Sequence, residues 1–242
     1  MLETPTVGCG ARPPRRQISE RSSTRRRRVI WALAGIAAVA ATLFVVLTVV
    51  VTRAPSFTLD PGAFETAGDL RAPWLDAAAR LVTTLGLGAI VGPVLLLGAA
   101  HLIRRRYPAR AVAVLAGGAF AWIVVWVTKG AVDRARPPAP LVHTAGQSFP
   151  SGHAASSIGY LALAIALTAT IRTQAGRIAV VAAGALLAVL IGLSRIYLRA
   201  HYDSDVLAGE AVAVGAYAIA AIAAVVWQAR RRPALWPEAP VR

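Results

Sequence analysis

From Val29 to Val51 the chain runs for 23 residues without a charged side chain. At about 1.5 Å of rise per residue, a helix of that length crosses a hydrocarbon layer of roughly 30 Å. Inside lipid every backbone N–H and C=O must be bonded internally, so such a run is confined to a helix. It is longer than the core of a secretory signal, usually about 7–15 residues, and is expected to remain as an uncleaved anchor.

Further apolar runs follow at about 77–103, 111–128, 154–171, 178–193 and 206–227. The expected fold class is therefore all-α, a six-span helical integral membrane protein. Residues 1–28, with eight arginines and almost nothing apolar, are expected to be a disordered tail. Residues 29–228 would form the membrane domain and 229–242 a second tail. Pro93 lies inside the second run, where a membrane helix tolerates it as a kink.

The formal net charge of +15 raises nucleic acid as a partner. The basic residues are spread over loops rather than gathered on one soluble face, which argues against it. With six spans, the tails and even-numbered loops carry 18 of the 26 basic residues and the other loops carry 8. The positive-inside bias then puts both termini in the cytoplasm of a cell-membrane protein, and residues 129–153 and 194–205 together on the outer face. A single cysteine, Cys9, excludes an intrachain disulfide and a cysteine-rich metal site.

Those two outer stretches hold three polar clusters: Lys129 with Arg136-Pro137, Pro150-Ser151-Gly152-His153, and Ser194-Arg195 with His201 and Asp205. Lys129 is the one lysine in the chain, which sets it apart from topology charge. An ammonium offers a point charge and a guanidinium a planar fork, so Lys129, Arg136 and Arg195 together suit a phosphate. Gly152 allows close backbone approach, and the helix expected to start near Ala154 aims its first N–H groups at an anion. Ser151 either joins that grip or only caps the helix.

His153 would sit beside the bound phosphate as an acid for a leaving alkoxide. His201 and Asp205 are four apart and share a face if the last helix starts early, so the carboxylate can hold the imidazole. Asp203 would face away. Arg134 and Arg199 read as surface charge, and His101 and His143 as structural. Glu210, a carboxylate inside the last span, is a candidate because such a group is costly there.

Taken together, Lys129-x6-Arg136-Pro137, Pro150-Ser151-Gly152-His153 and Ser194-Arg195-x5-His201-x3-Asp205 resemble the three signature motifs of the type 2 phosphatidic acid phosphatase superfamily, across about residues 70–215. The resemblance implies that His201 is a nucleophile forming a phosphohistidine, that Asp205 orients it and that His153 is the general acid. It implies too that Lys129, Arg136, Ser151, Gly152 and Arg195 bind the phosphate, with no metal or other cofactor. Arg199 and Asp203 are small departures within the third motif.

The expectation is a phosphatase acting on a membrane lipid phosphate or diphosphate, such as undecaprenyl diphosphate, phosphatidate or phosphatidylglycerophosphate, at the outer face of the bilayer. A phosphotransferase using the same phosphohistidine, or a non-catalytic lipid-binding or transport scaffold, are the alternatives. Oligomeric state is not legible in the sequence.

Overall fold

The computed structural model describes residues 15–59 and 62–231. Among these the regular structure is helical throughout: α1 (Arg15–Arg53), α2 (Ala63–Asp69), α3 (Pro73–Thr84), α4 (Gly88–Arg104), α5 (Pro108–Val132), α6 (Gly152–Leu167), α7 (Gln174–Tyr197) and α8 (Asp203–Arg230).

The bundle turns apolar side chains outward as well as inward. Leu43, Leu97, Trp122 and Leu186 are exposed on four different helices, as a lipid environment permits. Inside, small residues let backbones come close. A Cβ added to Gly117 would stand 2.4 Å from the Tyr217 ring, so α5 receives an aromatic of α8 in a notch that only glycine leaves open.

Four helices, α1 over Ser23–Arg53, α5, α7 and α8, are long and apolar enough to cross a membrane. Helices α3 and α4 make a fifth crossing if the 53° bend between them interrupts one span. Helix α6 has 16 residues and extends roughly 24 Å, short of a full hydrocarbon core. It packs among α4, α5, α7 and α8. The expected count of six is thus four or five by length.

Two other expectations are corrected. The second apolar run breaks at residues 85–87, and Pro93 lies inside the continuous α4. Two glycines flank Leu87, and Gly86 leaves room there for Ile191 and His153 of the neighbouring helices, whereas a membrane helix tolerates Pro93. Helix α1 begins at Arg15 rather than near Val29. Arginine propagates a helix well once an apolar span has nucleated it. Residues 1–14 of the expected tail, and the second tail beyond residue 231, lie outside the described residues.

The C-terminal ends of α1, α5 and α7 and the N-terminal ends of α6 and α8 meet at one end of the bundle. Phe149, with no exposed surface, stacks on Phe44 of α1 with ring centroids 6.2 Å apart. The α5–α6 loop is thereby anchored in the core, with the polar clusters around it.

Candidate active site

Helix α8 begins at Asp203, early enough to put His201 just before its first turn and Asp205 within it. Asp205 Oδ2 accepts from the Tyr202 backbone N–H at 3.0 Å, at a helix end that favours negative charge. The same oxygen lies 3.5 Å from His201 Nδ1 and accepts a short hydrogen bond from the Ser148 hydroxyl. Ser148 Oγ is also 3.4 Å from His201 Nδ1. The Nδ1 edge of the ring is therefore enclosed.

The other edge faces Arg136, whose Nη1 is 3.3 Å from His201 Nε2 and donates to the Ala200 carbonyl at 2.7 Å. Backbone carbonyls of Ala145, Gly146 and Gln147 hold the rest of that guanidinium. Lys129 Nζ donates to the Gln147 carbonyl at 2.7 Å, so the two cations of the first cluster meet at one oxygen. His201 is 2 % exposed. Burial lowers its imidazole to about 4, against the pull of Asp205 in the other direction. Burial also lowers Arg136 from its ordinary value, with Asp205 opposing.

Ser151 is the N-cap of α6 and accepts from the Ala154 N–H at 3.4 Å. Its backbone N–H donates to the Asp205 carbonyl at 2.9 Å, tying the second cluster to the third. Gly209 permits this approach, since a Cβ there would stand 2.3 Å from the Ser151 carbonyl oxygen. Gly152 opens α6, and His153 follows; burial, and after it the charges of Arg195, His201, Arg136 and Lys129, lower its imidazole to about 3. Arg195 Nη1 donates to Thr83 Oγ1 at 2.6 Å. Its Nε is buried without a partner.

A cavity of about 500 Å³ runs from this cationic end along α4 and α5, with Lys129, Gly152 and His153 among its lining residues and Gly92, Leu96 and Trp122 further along. Every residue expected at the site is at this end of the bundle. His101 and His143 are exposed. Glu210 lies apart, its carboxylate beside Gly192 of α7.

Arg134 is not surface charge. It is 3 % exposed, and its Nη1 pairs with Asp205 Oδ1 at 2.5 Å. Arg199 donates to the Phe64 carbonyl at 3.0 Å and holds α2 against the α7–α8 turn. Asp203 does turn from His201: its Oδ1 accepts from the Thr58 hydroxyl and the Leu59 N–H, both at 2.9 Å. Ser148 and Thr83 went unnoticed because a lone hydroxyl carries no spacing signal. Arg134 had one, two residues before Arg136 in the same cluster.

The family model described as PAP2 superfamily matches residues 110–232. Phosphatidylglycerophosphatase B of Bacillus subtilis (strain 168) is 32% identical over 145 residues, 58% of this chain and 70% of that protein. Two solved structures share the fold. The crystal structure of a transmembrane PAP2-type phosphatidylglycerolphosphate phosphatase from Bacillus subtilis superposes with TM-score 0.68 at 23% identity, covering 83% of this chain and 98% of its own. That of Aquifex aeolicus LpxE gives TM-score 0.56 at 23% identity, covering 69% and 97%. A matched family model spanning the whole polar constellation, a curated relative and a shared membrane fold agree that this chain belongs to the PAP2 superfamily and is a multi-pass membrane phosphatase.

Proposed function

We propose that the chain hydrolyses a lipid phosphate monoester at the outer face of the cell membrane, through a phosphohistidine on His201. The observation that carries this is the division of the His201 ring: Nδ1 is turned to Asp205 and Ser148, and Nε2 faces the cations. Nε2 attacks phosphorus, forming an N–P bond as the P–O bond to the lipid breaks. The negative charge of the bound phosphate raises His153 from the low value that burial gives it, so that it holds a proton and gives it to the departing lipid oxygen, while Asp205 stabilises the imidazolium. In the second step His153 takes a proton from water, whose oxygen displaces His201 and releases inorganic phosphate.

Lys129, Arg136, Arg195 and the N–H groups at the start of α6 oppose the charge that gathers on the equatorial oxygens, usually the largest contribution in such chemistry. The buried free Nε of Arg195 suits one of those oxygens. All the charge compensation in this scheme comes from protein groups, so it runs without a metal. Phosphatidylglycerophosphate is the first candidate substrate, on the strength of the 32% identical relative. Its apolar tail would extend into the cavity beside Leu96 and Trp122 while the headgroup reacts at its mouth. The termini would then lie in the cytoplasm.

Phosphate release in detergent with excess chelator tests the reading, on a panel of phosphatidylglycerophosphate, phosphatidate, a polyprenyl diphosphate and a soluble phosphate ester. Release from the first, unaffected by chelator and lost in His201→Ala, is the expected result. Activity that chelator abolishes would exclude the metal-free scheme, and transfer of phosphate to an acceptor without free phosphate would make the protein a phosphotransferase.

A further inference from the structure

We propose that Arg134, which lies outside the residues assigned above to phosphate binding and chemistry, is a positioning residue that acts on the nucleophile through Asp205. The inference rests on the reading of His201 as nucleophile. Asp205 has no exposed surface, and its two oxygens are divided between two tasks. Oδ2 serves His201 Nδ1, Ser148 and the Tyr202 N–H. Oδ1 is paired with Arg134 Nη1 at 2.5 Å.

A buried carboxylate with one oxygen unpaired is strongly disfavoured, and it relieves that by rotating or taking up a proton. Either change removes the acceptor that holds the His201 tautomer with Nε2 free. Arg134 prevents both, because its guanidinium is itself immobilised. Nη1 also donates to Ser204 Oγ at 2.9 Å, Nε donates to the Pro55 carbonyl at 2.7 Å, and Nη2 donates to the Phe57 carbonyl. The Tyr202 ring covers its face, 4.2 Å from centroid to guanidinium carbon.

Those contacts extend the positioning chain to the segment after α1. Pro55 and Phe57 fix Arg134, Arg134 fixes Asp205, and Asp205 fixes His201. A lysine cannot reproduce this, since one ammonium cannot reach the carboxylate and both carbonyls with the same fork geometry. Arg195 differs in kind: it pairs with Thr83 and makes no bond to Asp205, and its buried Nε has no protein partner.

The test compares Arg134→Gln, Arg134→Lys, Asp203→Ala and His201→Ala in the full-length chain in detergent. Steady-state kinetics are measured on phosphatidylglycerophosphate, with competitive inhibition by inorganic phosphate as a measure of the anion site. Asp203→Ala releases the Thr58 and Leu59 ties of the same segment without touching Asp205. Arg134→Gln is expected to lower kcat by roughly ten- to a hundredfold, the range that holds for the hydrogen-bond partners of metal-bound ligands, which orient a side chain in the same way. KM and phosphate inhibition should stay within about twofold of wild type, Arg134→Lys should lie between, and Asp203→Ala should keep most of its activity.

Equal losses in Arg134→Gln and Asp203→Ala would make Arg134 a staple of the segment and overturn the proposal. So would a kcat within twofold of wild type, or a loss of phosphate affinity that tracks the loss of kcat. If Arg134→Gln does not fold, Arg134→Lys decides: wild-type kcat overturns the proposal, and a reduced kcat with intact phosphate inhibition supports it. Turnover surviving in His201→Ala would sink the nucleophile reading and this one together, whereas an inactive His201→Ala beside an active Arg134→Gln sinks this one alone.

Discussion

His201 is buried, and that burial lowers its imidazole to about 4. It is then neutral across the physiological range, as the proposed nucleophile must be. The acid limb of kcat/KM due to this group should therefore fall near pH 4 rather than at the ordinary 6.5. A pH profile corrected for the substrate's own phosphate ionisation checks this, and an enzyme-side acid limb near 6.5 in place of one near 4 would contradict it. The same shift acts on the fold. Between about 6.5 and 4 the unfolded chain takes up a proton that the folded His201 refuses, so stability falls as the solution is acidified through that window. That Lys129, Arg136, Ser151, Gly152, His153, Arg195, His201 and Asp205 gather in one place was legible in the sequence, because polar groups stand out in an apolar chain. Ser148 and Thr83 were not, because their significance lies in a partner 57 and 112 residues away, and Arg134 stood in a cluster without showing its partner 71 residues on.

At the scale of elements, the site depends on where helices stop. The break between α3 and α4 brings Thr83 to Arg195 and leaves Gly86 against the His153 side chain. A Cβ on Gly86 would stand 2.7 Å from Ile191 Cγ2 and 3.1 Å from His153 Cβ. Gly86→Ala should therefore displace the proposed acid and lower kcat several-fold or more, whereas Pro93→Ala should change it little; activity assays of the two variants decide. Gly209→Ala has a harder obstacle, since the Ser151 carbonyl is backbone. It should lose on the order of 1–3 kcal/mol of stability, typical of overpacking, as read by thermal unfolding in detergent. The long helices could be read from the apolar runs, but α2, in a stretch that reads as a polar loop, and the early start of α1 could not. The break could not be placed, because Pro93 and the Gly86–Gly88 pair both signal interruption and packing against α6 and α7 chose between them.

Across the whole molecule the chemistry gathers at one end of a bundle whose flanks are apolar, so a lipid can react without leaving the bilayer. The fold and family were legible from run lengths and cluster spacing, and the number of crossings was not, because α6 is an inner helix short of membrane thickness. If the basic residues report the topology, a cysteine placed at Pro140 should react with an impermeant thiol reagent from outside intact cells. Reaction only after the membrane is opened would reverse the orientation. The central claim is a phosphoryl group passed from lipid to His201 and then to water, and the most direct test is the stereochemical course at phosphorus. Hydrolysis of a lipid phosphorothioate made chiral with oxygen isotopes involves two in-line displacements, so the released thiophosphate should retain configuration. Inversion would mean that water attacks the lipid phosphate directly and would contradict the account.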